Sequence, residues 1–241
     1  MNQFKFEKDV RYIKIYGLQR SGTNFAADLL NRNFKNTKAL VNIGGWKHGT
    51  YAAPYILGKE VDVLVIVKEP FAWLRSMYDY WGPNRKLNIG PDLRNVAFEQ
   101  FLKNPVVFEI QQGIPYLFRA ANPIQYWNNM NFHYLSIRME EKKMIVLSYE
   151  ALIAEFDVSM LKLADYFDLD PVSSDLEFTK EPNEFKPSEE TPTTTDEEFV
   201  DRLNYYKNKE YMKYYSQDLL QFVGLNLDRE VLTKVGYHLG R

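Results

Sequence analysis

The sequence predicts an α/β fold, a parallel β-sheet flanked by helices. Three observations predict it. Apolar runs at 12–16, 61–67 and 144–148 have the length and content of strands buried on both faces. Stretches with apolar residues at helical spacing alternate with them, at 22–34 and 158–167. A loop bounded by Gly17 and Gly22 joins the first strand to the first helix. Strands alternating with helices in this way build a parallel sheet with helices on its faces.

Each element follows from its residues. Residues 12–16 read as a short buried strand, and 22–34 as a helix whose apolar face carries Phe25, Ala26, Leu29, Leu30 and Phe34. Residues 39–43 read as a second strand, ended by Gly44-Gly45. The run Val61-Asp62-Val63-Leu64-Val65-Ile66-Val67 is a further parallel strand, and Pro70 is placed to open the next helix. Residues 82–137 read as largely helical and aromatic-rich, with Trp127, Phe132 and Tyr134. Residues 144–148 are another buried strand. Residues 158–167 form an amphipathic helix on Val158, Leu161, Leu163, Ala164 and Phe167. Pro171, Pro182, Pro187 and Pro192 break up 168–195 into an irregular segment. Thr195 with Glu198 resembles a capping box, opening a helix towards residue 223. No internal repeat is visible. The pattern predicts one domain over 1–241, with 82–137 a helical insertion and 168–241 a C-terminal region, both shaping an acceptor site.

Composition narrows the function. A net charge of -2 leaves no global basic field, so non-specific nucleic-acid binding is disfavoured. The chain has no cysteine, which removes disulfides, thiolate catalysis and Cys-based zinc sites. No apolar run reaches transmembrane length, and Met1 to Arg11 lacks a signal-peptide core. These features predict a cytoplasmic protein. Nothing in the sequence speaks to oligomeric state.

The chemistry concentrates in Gly17-Leu18-Gln19-Arg20-Ser21-Gly22-Thr23-Asn24. Glycines let the backbone approach a ligand, and the N–H groups at a helix start bind anions. The glycine spacing matches a Walker A loop, G-x-x-x-x-G-K-[ST], but Thr23 stands where the lysine belongs. The cation lies inside the loop, at Arg20. The loop is suited to a phosphate group without the usual Mg-ATP clamp.

Two more blocks complete a pattern. Val65-Ile66-Val67-Lys68-Glu69-Pro70 is followed by Ser76, and Val146-Leu147-Ser148-Tyr149-Glu150-Ala151-Leu152 comes before the helix at 158–167. In this order the three blocks resemble those of sulfotransferases that use 3′-phosphoadenosine-5′-phosphosulfate, PAPS. The likeness covers 12–80 and 143–169. The resemblance implies a P-loop-like sulfotransferase fold and transfer of a sulfuryl group from PAPS to a hydroxyl or amine, such as one on a glycan or small metabolite. Adenosine 3′,5′-bisphosphate would be released, and no metal is needed. It implies that Arg20, Ser21, Gly22, Thr23 and Asn24 hold the 5′-phosphosulfate, with Arg20 also opposing charge on the leaving phosphate. Lys68 and Ser76 would hold the 3′-phosphate. The family has arginine where this chain has Lys68, so the bidentate fork is lost. The family's C-terminal Arg-Lys-Gly run is absent; Arg85 or Lys86 are candidate replacements.

The base candidate is His48, in Gly44-Gly45-Trp46-Lys47-His48-Gly49, just past the second predicted strand. An imidazole is suited to take the proton of an attacking hydroxyl. Lys47 is a candidate for stabilising the sulfuryl oxygens. Of the other two histidines, His133 reads as packed and His238 has no assigned role. Tyr78, Tyr80, Trp81 and Trp127 are candidates for stacking on adenine or lining the acceptor pocket, or else for the core. Two rival readings stand beside the transferase. A P-loop kinase would share the strand–loop–helix start but wants the missing lysine. A non-catalytic relative would bind the nucleotide or an anionic glycan without transfer.

Overall fold

The computed structural model describes residues 5–41, 46–49, 61–81, 95–108, 118–136, 143–176 and 196–238. Within them, strands β1 (Arg11–Gly17), β2 (Thr37–Leu40), β3 (Val61–Val67) and β6 (Met144–Ser148) form one sheet in the order β2-β1-β3-β6. Every neighbouring pair is parallel, with Ile15 opposite Leu64 and Val65 opposite Val146. This is the α/β architecture that the apolar runs predict.

Both faces of the sheet are covered, which is why its strands lack polar alternation. On one face Ile13, Ile15, Leu64, Ile66, Ile145 and Leu147 pack with α1 (Thr23–Asn33) and α6 (Phe156–Phe167). On the other, Tyr16, Val63, Val65 and Val67 pack with α2 (Pro70–Trp81) and α4 (Pro123–Leu135). Pro70 opens α2, and Pro123 lies in the first turn of α4 behind an Asn122 cap that accepts from Gln125 N at 2.8 Å. The short α5 (Tyr149–Ala154) leaves β6 at once, its N-terminus capped by Ser148.

Two expectations need correction. Part of 82–137 is extended rather than helical. Helix α3 (Phe98–Lys103) is followed by β4 (Val106–Phe108) and β5 (Phe118–Ala120), an antiparallel pair. The helix expected from 195 towards 223 is broken into α7 (Asp196–Lys207), a 3₁₀ turn (Glu210–Tyr214), α8 (Gln217–Asn226) and finally α9 (Arg229–Lys234). The break begins at Lys209, in the left-handed region at φ 51°, and ends at Ser216, which caps α8. The break lets Tyr211 and Tyr215 reach the core, where the Tyr215 hydroxyl donates to Phe71 O at 2.7 Å. Tertiary burial thus overrides local helical periodicity. The Gly44-Gly45 turn, Arg85, Lys86, Thr195 and residues 177–195 lie outside the described residues. Strand β2 starts at Thr37 and ends at Leu40, before the expected end at residue 43. No described helix is long and apolar enough to cross a membrane.

Candidate functional site

The site is built where β1 ends. Gly17 closes the strand against β3, and a Cβ there would stand 2.4 Å from Ile66 O and 2.6 Å from Ser21 Oγ. Only glycine fits. The chain then turns tightly: Ser21 N and Ser21 Oγ both donate to Leu18 O, at 3.1 and 2.7 Å. Arg20 takes φ 65° and Gly22 φ 88°, both left-handed. Gly22 is the N-cap of α1, and no side chain caps that end. A Cβ on Gly22 would overlap the Tyr149 ring at 2.2 Å, so the ring lies flush on the loop. The result is a backbone cradle with a positive helix end beneath it.

The segment after β2 comes back to this cradle. Gly17 N donates to Lys47 O at 3.1 Å, which places Lys47 and His48 beside the loop. Lys47 Nζ donates to Asn24 Oδ1 in the first turn of α1. His48 Nδ1 lies 2.7 Å from Gly17 O. A carbonyl only accepts, so Nδ1 carries the proton and Nε2 keeps its lone pair. Trp46 meets the His48 ring edge-on at 5.1 Å. Below them Lys14, 0% exposed in the middle of β1, donates to Val41 O at 2.9 Å.

These cations act on one another. Burial pushes Lys14 down to about 7, with Lys47 adding to the effect. Burial pushes Lys47 down to about 8. Burial and the Lys47 charge push His48 down to about 3, against the hydrogen bond to the Gly17 carbonyl. The imidazole is therefore neutral at physiological pH.

On the other side of the loop stands a second cluster. Lys68, at the end of β3, is 4% exposed. Its Nζ lies 4.5 Å from the Tyr149 ring and 4.8 Å from that of Tyr206, and donates to Arg20 O at 3.3 Å. The Arg20 guanidinium sits 5.2 Å from the Tyr80 ring. Ser76 is four residues before Tyr80 in α2, hence on the helix face that carries Tyr80. Glu150 Oε1 accepts from Glu69 N at 3.2 Å, and Glu150 Oε2 accepts from the Tyr237 hydroxyl at 2.5 Å. Burial raises the Glu150 carboxyl above its ordinary value and the Glu69 carboxyl to about 7.

The structure thus gathers Arg20, Ser21, Gly22, Thr23, Asn24, Lys47 and His48 around one turn, with Lys68 beside it and Ser76 on the α2 face that carries Tyr80. Ser21 Oγ donates into the turn itself, and Thr23 is buried at the start of α1. Trp81 and Trp127 are core residues, the latter donating to Lys68 O at 3.2 Å. His133 is half-buried beside Tyr134, and His238 is exposed. Lys14 and Tyr206 also border the site, although neither belongs to a site motif in the sequence. A lysine inside an apolar strand is a readable signal for the first. Nothing local marks the second. Among the described residues no group of three or more His, Asp or Glu side chains could hold a metal ion.

By sequence, no family model and no curated protein matches the chain. By structure, the chain is similar to the mouse sulfotransferase SULT7A1, solved in complex with PAP. The match has a TM-score of 0.53 at 16% identity and covers 95% of this chain and 84% of the other. The fold is therefore that of the sulfotransferase-like α/β proteins.

Proposed function

We propose that this chain is a sulfotransferase that takes a sulfuryl group from PAPS and transfers it to a hydroxyl or amine. One observation carries the reading. A cradle of backbone N–H groups, an arginine and a neutral imidazole all meet at the end of β1. The cradle fits a phosphosulfate: Gly17 and Gly22 keep it clear of Cβ atoms, and the α1 N-terminus is uncapped by any side chain. Bound there, the donor supplies an activated sulfur–oxygen bond.

His48 Nε2 takes the proton of the acceptor as its oxygen or nitrogen attacks sulfur. Arg20 and the N–H groups of the α1 start oppose the negative charge that collects on the departing phosphate oxygen. Lys47, held by Asn24, faces the sulfuryl oxygens. Lys68 and Ser76 serve the 3′-phosphate, Lys68 from behind the Tyr149 and Tyr206 rings. Residues 1–241 act as one domain, with 82–137 and 168–241 shaping the acceptor side.

Calorimetry with adenosine 3′,5′-bisphosphate and with ATP-Mg tests the nucleotide. Binding of the bisphosphate alone is expected; binding of ATP-Mg alone overturns the reading in favour of a kinase. A labelled-donor assay against varied hydroxyl and amine acceptors then tests transfer. The His48→Ala variant should lose about 10²–10⁴-fold in turnover while still binding the bisphosphate. Unchanged turnover removes His48 from the role.

A further inference from the structure

Lys68 is buried against the Tyr149 and Tyr206 rings, its Nζ 4.5 and 4.8 Å from them. A phosphate monoester brings a charge of about -1.5 to -2, more than one lysine neutralises. An element packed over Tyr149 and Tyr206 can supply a second cation.

Helix α7 is that element. It packs on α5, and its Tyr206 ring meets the Tyr149 ring edge-on at 5.2 Å. Arg202 is four residues before Tyr206, so both side chains project from one face of α7. Arg202 is half-buried there. Its charge acts on Lys68, Tyr149 and Tyr206, the groups on which the Arg20 charge also acts. Lys68 and the Arg202 charge therefore act at the same pair of rings, where the Glu150 carboxylate acts as well. A guanidinium suits this position because its fork can grip two oxygens of one phosphate.

We propose that Arg202 is a nucleotide-binding residue, supplying from α7 a cation for the 3′-phosphate of the nucleotide together with Lys68 and Ser76. The assignment rests on the nucleotide reading above. It explains how a chain without a C-terminal Arg-Lys-Gly run neutralises a dianion there.

The test compares two probes, adenosine 3′,5′-bisphosphate and adenosine 5′-monophosphate, which differ only in the 3′-phosphate. Calorimetric affinities are measured for the full chain with Arg202 intact, with Arg202→Gln and with Arg202→Lys. Arg202→Gln should weaken the bisphosphate by about 10- to 100-fold, the range for a hydrogen bond to a charged group, and leave the monophosphate nearly unchanged. Arg202→Lys should fall between, because it keeps the charge and loses the fork. Equal effects on both probes, or none, overturn the assignment while the nucleotide reading stands. An intact chain that does not prefer the bisphosphate overturns the nucleotide reading and the assignment with it. Should Arg202→Gln fold poorly by circular dichroism, the Arg202→Lys variant decides: no selective loss of the bisphosphate refutes the role.

Discussion

His48 is held in one tautomer by a backbone carbonyl and kept neutral chiefly by burial, with the charges of Lys47 and Lys14 adding to the effect. Burial penalises a charged ring, which explains a value near 3 rather than the ordinary 6.5. The sign of the pH effect follows. With the folded value depressed, the ring stays unprotonated through the range where a free histidine titrates. In NMR titrations of the free protein, the His48 ring should show no protonation of its own between pH 5 and 8. An anion bound at the cradle would offset Lys47 and Lys14, so adenosine 3′,5′-bisphosphate should move the midpoint upward. A free-protein midpoint near 6.5, or no movement with the nucleotide, would contradict this electrostatic account. On the reading proposed above, His48 would gain strength as a base once the donor's negative charge is in place. That ordering couples proton transfer to a loaded site.

At the scale of elements, the strand–loop–helix turn is fixed by contacts that exclude side chains. Gly22 combines a left-handed φ of 88° with a Tyr149 ring that would overlap any Cβ. Gly22→Ala must adopt the strained backbone and displace the ring, so a stability loss of about 2 kcal/mol or more is expected in urea unfolding. Nucleotide affinity should fall with it, since the ring also flanks Lys68. A neutral result would mean that the loop relaxes freely and is no fixed cradle. Helix α1 shows the complementary device. Its first turn bears no acid and no side-chain cap, leaving its N–H groups and dipole for an anion. By contrast α5, α8 and α9 are capped by Ser148, Ser216 and Asp228.

At the scale of the molecule, the C-terminal elements tie into the site from behind. Tyr237 donates to Glu150, and Tyr215 donates to Phe71 O in the first turn of α2. Asn128 of α4 donates to Asn226 O and accepts from Asp228 N, at 2.8 and 3.0 Å. Tyr215 thus ties the C-terminal region to the start of α2 and Tyr237 ties it to α5, while Asn128 joins α4 to the turn between α8 and α9. Tyr215→Phe removes one buried hydrogen bond and should cost about 0.5–1.5 kcal/mol in stability, while adding no cavity. Retention of full stability in thermal or urea unfolding would show that the hydroxyl contributes nothing net.

The sequence by itself determined the sheet and the loop. Strands 61–67 and 144–148 were legible residue for residue, because burial on both faces writes a continuous apolar run. The Gly17–Gly22 spacing and the loop arginine were equally legible, because backbone clearance admits no other residue at Gly17 or Gly22. Tertiary structure alone decided what meets that loop. The Gly17–Lys47 backbone bond brings His48 in from beyond β2, and the break at Lys209 lets α7 lie over Lys68 while Tyr211 and Tyr215 enter the core. Local periodicity predicted one unbroken helix there, and nothing in the order of residues pairs Tyr206 with Tyr149. Such pairings are set by which surfaces must be buried together, and that is a property of the packed chain, not of any segment of it.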